Sequence, residues 1–252
     1  MNTNRKIAIA VGALFLAGYV GVFGGGFLSE PILNAPDFPT NMAASRSQLL
    51  GGMLVELLVN DVAVLGIGVL MFHILRVHSE KIALAYLSIR IIEVATLVVS
   101  KFGILSLITL GQEYVTTGAL DAASFQILGA AALAERHWIG QVNAVFFILG
   151  ALLLYYLLYR SKLVPRWLSA WGLFAVATLT IVNVMELFEL YAPTQGFHPA
   201  MLLYAPIFLS ELLLGIWLIV KGFNPSAIEP TEAGSESDRL DISGTMHPTP
   251  IS

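Results

Sequence analysis

Apolar residues run along this chain in long unbroken blocks, and polar residues gather in short stretches between them. Six blocks, residues 7–28, 49–72, 82–110, 138–159, 168–190 and 200–221, can each supply the roughly 20 residues a helix needs to cross about 30 Å of hydrocarbon. None alternates apolar and polar positions with period two, so they predict helices rather than barrel strands. The expected fold is all-α, a polytopic membrane bundle of six transmembrane helices. At about 1.5 Å per residue the third block exceeds the bilayer thickness and should tilt or project beyond it.

The polar stretches set the orientation. Of the 13 basic residues, nine fall in the N-terminal segment, the second and fourth loops and the C-terminal tail. Arg46 and Arg136 lie on the other side, and Arg90 and Lys101 lie inside blocks. That bias places both termini in the cytoplasm. Trp167, Trp171, Tyr155, Tyr156 and Tyr159 are expected at the inner interface, and Trp138 and Tyr191 at the outer. The first block is longer than a signal-peptide core and lacks a small-x-small cleavage site, so it reads as an uncleaved anchor. The expected location is the cell membrane, a bacterial inner membrane or a plasma membrane.

Two domains follow, a transmembrane unit at residues 1–223 and an acidic cytoplasmic tail at 224–252. Pro225, Pro230, Pro248 and Pro250 interrupt the tail, and Glu229, Glu232, Glu236, Asp238 and Asp241 charge it. With so little apolar content it should stay disordered. The outer segment 111–136 has helix-forming composition with Asp121 as a cap, and predicts a short amphipathic helix lying on the outer interface.

Composition closes off other classes. The chain of 252 residues is 57% hydrophobic and 12% charged, against about 25% charged in an ordinary soluble domain. Such a chain cannot bury its apolar surface within one soluble core. The net charge of −4 gives no basic surface for nucleic acid. The absence of cysteine removes disulfides, thiolate chemistry and Cys-ligated metal. No cofactor or metal is expected, and the partner is the lipid bilayer, with a proton, a cation or a small molecule as the candidate ligand.

The informative residues are the ionisable ones inside the blocks. Glu56, Asp61, Glu93, Glu186, Glu189 and Glu211 are six carboxylates accompanied only by Arg90 and Lys101. Each charge costs about 2.5–3.5 kcal/mol at a helix centre, so they should face the bundle interior. Depth along the blocks sorts them. Asp61, Arg90, Glu93 and Glu211 form a candidate buried polar or ion site near mid-membrane. Glu56, Lys101, Gln141, Asn143, Asn183 and Glu186 form a candidate outer entrance.

Angles refine the picture. At about 100° per residue, Arg90, Glu93 and Lys101 share one stripe of the third helix, and Asn183, Glu186 and Glu189 share a side of the fifth. Both stripes should face a common interior. On the second helix Glu56 and Asn60 share a face while Asp61 points elsewhere. Ala17, Gly21 and Gly25 on the first helix, and Gly66 and Gly68 on the second, allow close helix approach. His137, His198, Glu186 and Glu189 could meet at the outer mouth as a zinc site, although no His-x-x-x-His spacing supports one. No nucleophile elbow or phosphate loop is present, so no catalytic residue is assigned.

Several segments resemble a known family: Asn2-Thr-Asn-Arg-Lys-Ile-Ala8, Ile32-Leu-Asn-Ala-Pro-Asp37, Arg90-Ile-Ile-Glu93, the stretch from Tyr155 to Ser169 containing Arg160-Ser-Lys-Leu-Val-Pro-Arg166, and the stretch from Glu211 to Phe223. They are similar to the bacterial six-span membrane proteins grouped as domain of unknown function 4386. The resemblance spans residues 1–223 and omits the tail. His137 departs from it, standing where an acid is expected. It implies a six-span fold and brings no reaction, substrate or site. Three functions follow from the residues: a non-enzymatic membrane component, a proton- or cation-coupled small-molecule transporter, and an intramembrane lipid-modifying enzyme.

Overall fold

A computed structural model describes residues 2–35, 38–117, 122–190 and 198–228. Among these the chain is all helical, and six helices are long and apolar enough to cross a membrane. The first is α1 (Thr3–Leu33), begun by Asn2, whose side chain accepts from the Asn4 amide. A short α2 (Phe38–Ala44) follows. The second crossing is α3 (Arg46–Val55), a π-helical turn (Glu56–Asp61) and α4 (Val62–Leu75) in unbroken succession. Then come α5 (Glu80–Thr116) and α6 (Ala122–Ser161).

Lys162, with φ of 58°, ends α6, and Pro165 opens α7 (Arg166–Leu187). Proline fits there because a helix start needs no amide donor. A 3₁₀ turn (Pro199–Tyr204) leads into α8 (Ala205–Val220), with Pro206 in its first turn, and a final α9 (Pro225–Ile228).

The lengths correct one expectation. At about 1.5 Å per residue, α5 and α6 run to roughly 55 and 60 Å, nearly twice the hydrocarbon thickness. The amphipathic segment expected to lie flat is instead the first four turns of α6, continuous with its crossing. Apolar contacts on α5 hold it upright. Ile104, Leu107 and Ile108 of α5 pack with Ala132 of α6, Met42 of α2, Leu49 and Met53 of α3, and Ile32 and Leu33 of α1.

A larger core runs from Ala8, Val11 and Phe15 of α1 through Ile67, Met71 and Leu75 of α4 to Leu214 and Leu218 of α8, and extends to Val182 of α7 and Ala200 of the 3₁₀ turn. The polar residues of the first four crossings occupy the interval between the two cores. On α1, on the α3–α4 crossing, on α5 and on α6, they fall after one apolar set and before the other. The outward faces carry exposed Phe23, Phe27, Leu58, Phe102, Phe174 and Val220, a surface suited to lipid tails. Of the expected interfacial aromatics, Trp138, Tyr156, Tyr159, Trp167 and Trp171 are exposed, but Tyr155 is fully buried. Its ring lies on Gly172 and its hydroxyl meets Ser210 Oγ at 3.0 Å. The positions given to Asp121, Tyr191 and the tail beyond Ile228 lie outside the described residues.

Candidate functional site

Small residues bring the first two crossings together. A Cβ on Gly21 would stand 2.6 Å from the Asn60 amide nitrogen, and one on Gly25 would strike the Glu56 side chain. Glycine is therefore required where α1 crosses the π turn. Gly18 also faces this contact, beside Asn60 and Ala63. Gly68 of α4 lies against the stem of Arg90, where an added Cβ would stand 3.0 Å from Arg90 Cβ.

Arg90 is enclosed on all sides, with 2% of its surface exposed. One guanidinium nitrogen, Nη1, donates to both oxygens of Glu93, at 2.9 and 2.7 Å. Nε donates to the Tyr86 hydroxyl at 3.3 Å, and the group also lies 5.6 and 5.7 Å from the ring centres of Tyr86 and Phe147. Glu211 of α8 accepts from the Tyr19 hydroxyl at 2.7 Å. Arg90, Glu211, Tyr19 and Asn60 border one cavity of about 70 Å³, otherwise walled by apolar side chains.

A second cluster forms around Lys101. Its Nζ lies 3.1 Å from Glu56 and 3.4 Å from Asp61. Asn60 donates to the other Asp61 oxygen at 3.0 Å, while Asp61 Oδ2 is buried with the Lys101 ion pair and no aligned hydrogen bond. This corrects the expected angles. In a regular α-helix Glu56 and Asp61 would differ by about 140°. The π turn, bonded i to i+5, returns them to one side, where both reach the same ammonium. Asp61 thus joins Lys101 and Glu56 rather than the Arg90–Glu93 pair. Asn60 bridges the two clusters, bordering the Arg90 cavity while donating to Asp61.

The polar stripes of α5 and α7 do not share an interior, because α6 stands between them. Gln141 faces α7, donating to Glu186 at 2.8 Å and accepting from Asn183 at 2.9 Å. Asn143 faces α5 and donates to the Glu93 carbonyl at 2.9 Å and to Thr96 Oγ1 at 2.6 Å. Two residues apart is about 200° on a helix, so the pair serve opposite neighbours. Glu189 leaves the stripe altogether. It is exposed in a left-handed turn, φ 53°, just past the end of α7.

The zinc grouping is not assembled. Among the described residues no three His, Asp or Glu side chains gather at metal-binding distance, and His198 Nδ1 accepts from the Ala200 amide in capping the 3₁₀ turn. Sequence reasoning missed Tyr19, Tyr86, Tyr155 and Ser210. The tyrosines blend into apolar helices by hydropathy, and the one available sign was a hydroxyl at a depth where lipid supplies no partner.

No curated protein and no solved structure matches the chain. A family model, the domain of unknown function DUF4386, covers residues 10–222, from the first crossing to the end of the last. The matched span contains both ion clusters, the Gln141 bridge and all six crossings, and the chain belongs to that family.

Proposed function

We propose that this multi-pass protein is a non-enzymatic component of the cell membrane whose buried ion clusters lock six helices into one arrangement. The observation that carries this reading is mutual pairing. Glu93 is held by Arg90, Glu56 and Asp61 by Lys101, Glu186 by Gln141, and Glu211 by Tyr19. Each partner set except Arg90–Glu93 joins different crossings, so the bonds fix helix against helix. The cavity beside them, about 70 Å³, is far below the roughly 300–1,000 Å³ of small-molecule sites. That size argues against an organic solute.

The test is Lys101→Met in purified protein, because Lys101 ties α5 to the second crossing. The scaffold reading expects a lower thermal midpoint in detergent, and no ion or solute flux in proteoliposomes of either form. A variant as stable as the parent would remove the clusters from that role.

A second reading rests on charge. Arg90 faces Glu93 and Glu211, and Lys101 faces Glu56 and Asp61, so each cluster holds one carboxylate more than its cation balances. One proton or one small cation at each would restore neutrality, and the cavity has room for water or a bare ion. This is the proton- or cation-coupled alternative, with Glu211 as the binding group. Proteoliposomes under a pH gradient should then show flux that Glu211→Gln reduces; unaltered flux in that variant takes Glu211 out of any such mechanism.

A further inference from the structure

At the end of the bundle that carries most of the basic residues, the loop after α6, the start of α7 and the segment after α8 enclose a groove of about 490 Å³. Lys162, Arg166 and Lys221 line it, together with Trp217 and Phe223. Among the described residues no carboxylate borders it. A second cavity of about 190 Å³ adjoins it, sharing Lys221, Phe223 and Pro225.

The groove is built rather than incidental. The Asn224 amide donates to the Leu163 carbonyl at 2.8 Å and its side chain to the Lys162 carbonyl at 3.4 Å, tying the segment after α8 to the α6–α7 loop. Gly222, at φ 77°, turns the chain into that contact. Trp167 meets Trp217 edge to face with centres 6.4 Å apart, closing one wall. Arg5, beside it, is already engaged. Its guanidinium donates to the carbonyls of Leu218, Ile219 and Val220 at the end of α8.

The three lining cations are not engaged in that way. Among the described residues Lys162 and Lys221 make no side-chain ion pair or hydrogen bond, and Arg166 makes only a cation–π contact, 5.5 Å from the Tyr159 ring centre. Three positive charges without an ion pair, and no acid among the described residues of the cleft, call for an anion. The cleft opens beside exposed Trp167 and Val220, at the level where tryptophan marks the membrane interface. An anion carrying acyl chains places its phosphate among the cations and its chains along those apolar faces.

We propose that this groove binds the phosphate headgroup of an anionic phospholipid. Basic pockets between helices on the cytoplasmic side are suited to such headgroups.

The experiment titrates purified full-length protein in detergent with phosphatidylglycerol or phosphatidylcholine, reading bound lipid by native mass spectrometry. Phosphatidylglycerol should bind preferentially. The Lys162→Gln, Lys221→Gln double variant should lose about fivefold in affinity for each charge removed. Lys6→Gln with Arg76→Gln, which removes equal charge at the same end but outside the groove, should bind as the parent does. The two double variants losing affinity equally would reduce the effect to diffuse surface charge and overturn the site. Equal binding of the two lipids would overturn it as well, and so would inorganic phosphate displacing phosphatidylglycerol at equal concentration. A full-length variant with Glu229, Glu232, Glu236, Asp238 and Asp241 changed to their amides supplies the last comparison. Lipid preference seen in that variant alone would make the acidic tail the occupant instead.

Discussion

An arginine walled in by protein has exchanged its water for a few fixed partners, and the exchange is tolerable only while every partner stays. Arg90 has a bidentate carboxylate, a tyrosine hydroxyl and two aromatic faces. Removing one member of such a pair leaves the other charged and alone, at about 3–5 kcal/mol. Arg90→Met should therefore cost that much in thermal unfolding, and Arg90→Met with Glu93→Leu should recover most of it. A double variant as unstable as the single one would show that the ion pair is not what Arg90 contributes. Glycine positions give a contrast in size. A Cβ at Gly150 would meet Arg90 and Glu93 atoms at ordinary contact distance, 3.6 and 3.8 Å, whereas one at Gly172 would overlap the Tyr155 ring. Gly150→Ala should unfold with the parent, and Gly172→Ala should lose about 1–3 kcal/mol to overpacking, measured in the same melts.

One turn of helix decides how the elements meet. The π turn at Glu56–Asp61 aims two acids at Lys101, and its wider winding is what a one-residue deletion abolishes. Deleting Val59 should restore α winding and leave Glu56 and Asp61 four residues apart, about 40° on a regular helix, so both acids should still reach the lysine. A double-mutant cycle between Asp61→Asn and Lys101→Met measures this, with coupling of about 0.5–3 kcal/mol expected in the parent and retained in the deletion background; its loss there would show that the π winding itself, and not the shared face, positions Asp61. The same turn marks where the sequence stopped being readable. Angular reasoning succeeded on α5, a regular helix, where Arg90, Glu93 and Lys101 are all buried. It failed on Asp61 because nothing in Glu-Leu-Leu-Val-Asn-Asp announces i to i+5 bonding. The six crossings were legible because hydrocarbon thickness imposes a minimum apolar run. The true ends of α5 and α6 were not, since helix continuing beyond the bilayer needs packing partners rather than hydropathy. The pairing of polar stripes was hidden for a related reason: it depends on which helix stands between which, and periodicity carries no neighbour list.

Taken as a whole, the molecule sets its ion clusters between two apolar cores on the first four crossings, and its two ends differ. One end carries Arg5, Lys6, Arg76, Lys81, Arg160, Lys162, Arg166 and Lys221; the other carries the paired extensions of α5 and α6 beside α2. The positive-inside rule turns that asymmetry into a direction, and the chain is suited to a direct test because it contains no cysteine. Thr117, exposed at the end of α5, and Ser226, exposed in α9, each accept a single Cys substitution without removing a contact between helices. In right-side-out vesicles a membrane-impermeant maleimide should label Thr117→Cys at once and Ser226→Cys only after the membrane is opened. The reverse pattern would invert the bundle and put the basic groove outside. Labelling of both sites in sealed vesicles would contradict the three crossings between Thr117 and Ser226. Because α5 runs roughly 55 Å against about 30 Å of hydrocarbon, Thr117 should also stand well clear of the headgroups. Its labelling rate should then approach that of a free thiol in water, and a rate as slow as that of a headgroup-level site would mean that α5 tilts into the membrane instead of projecting from it.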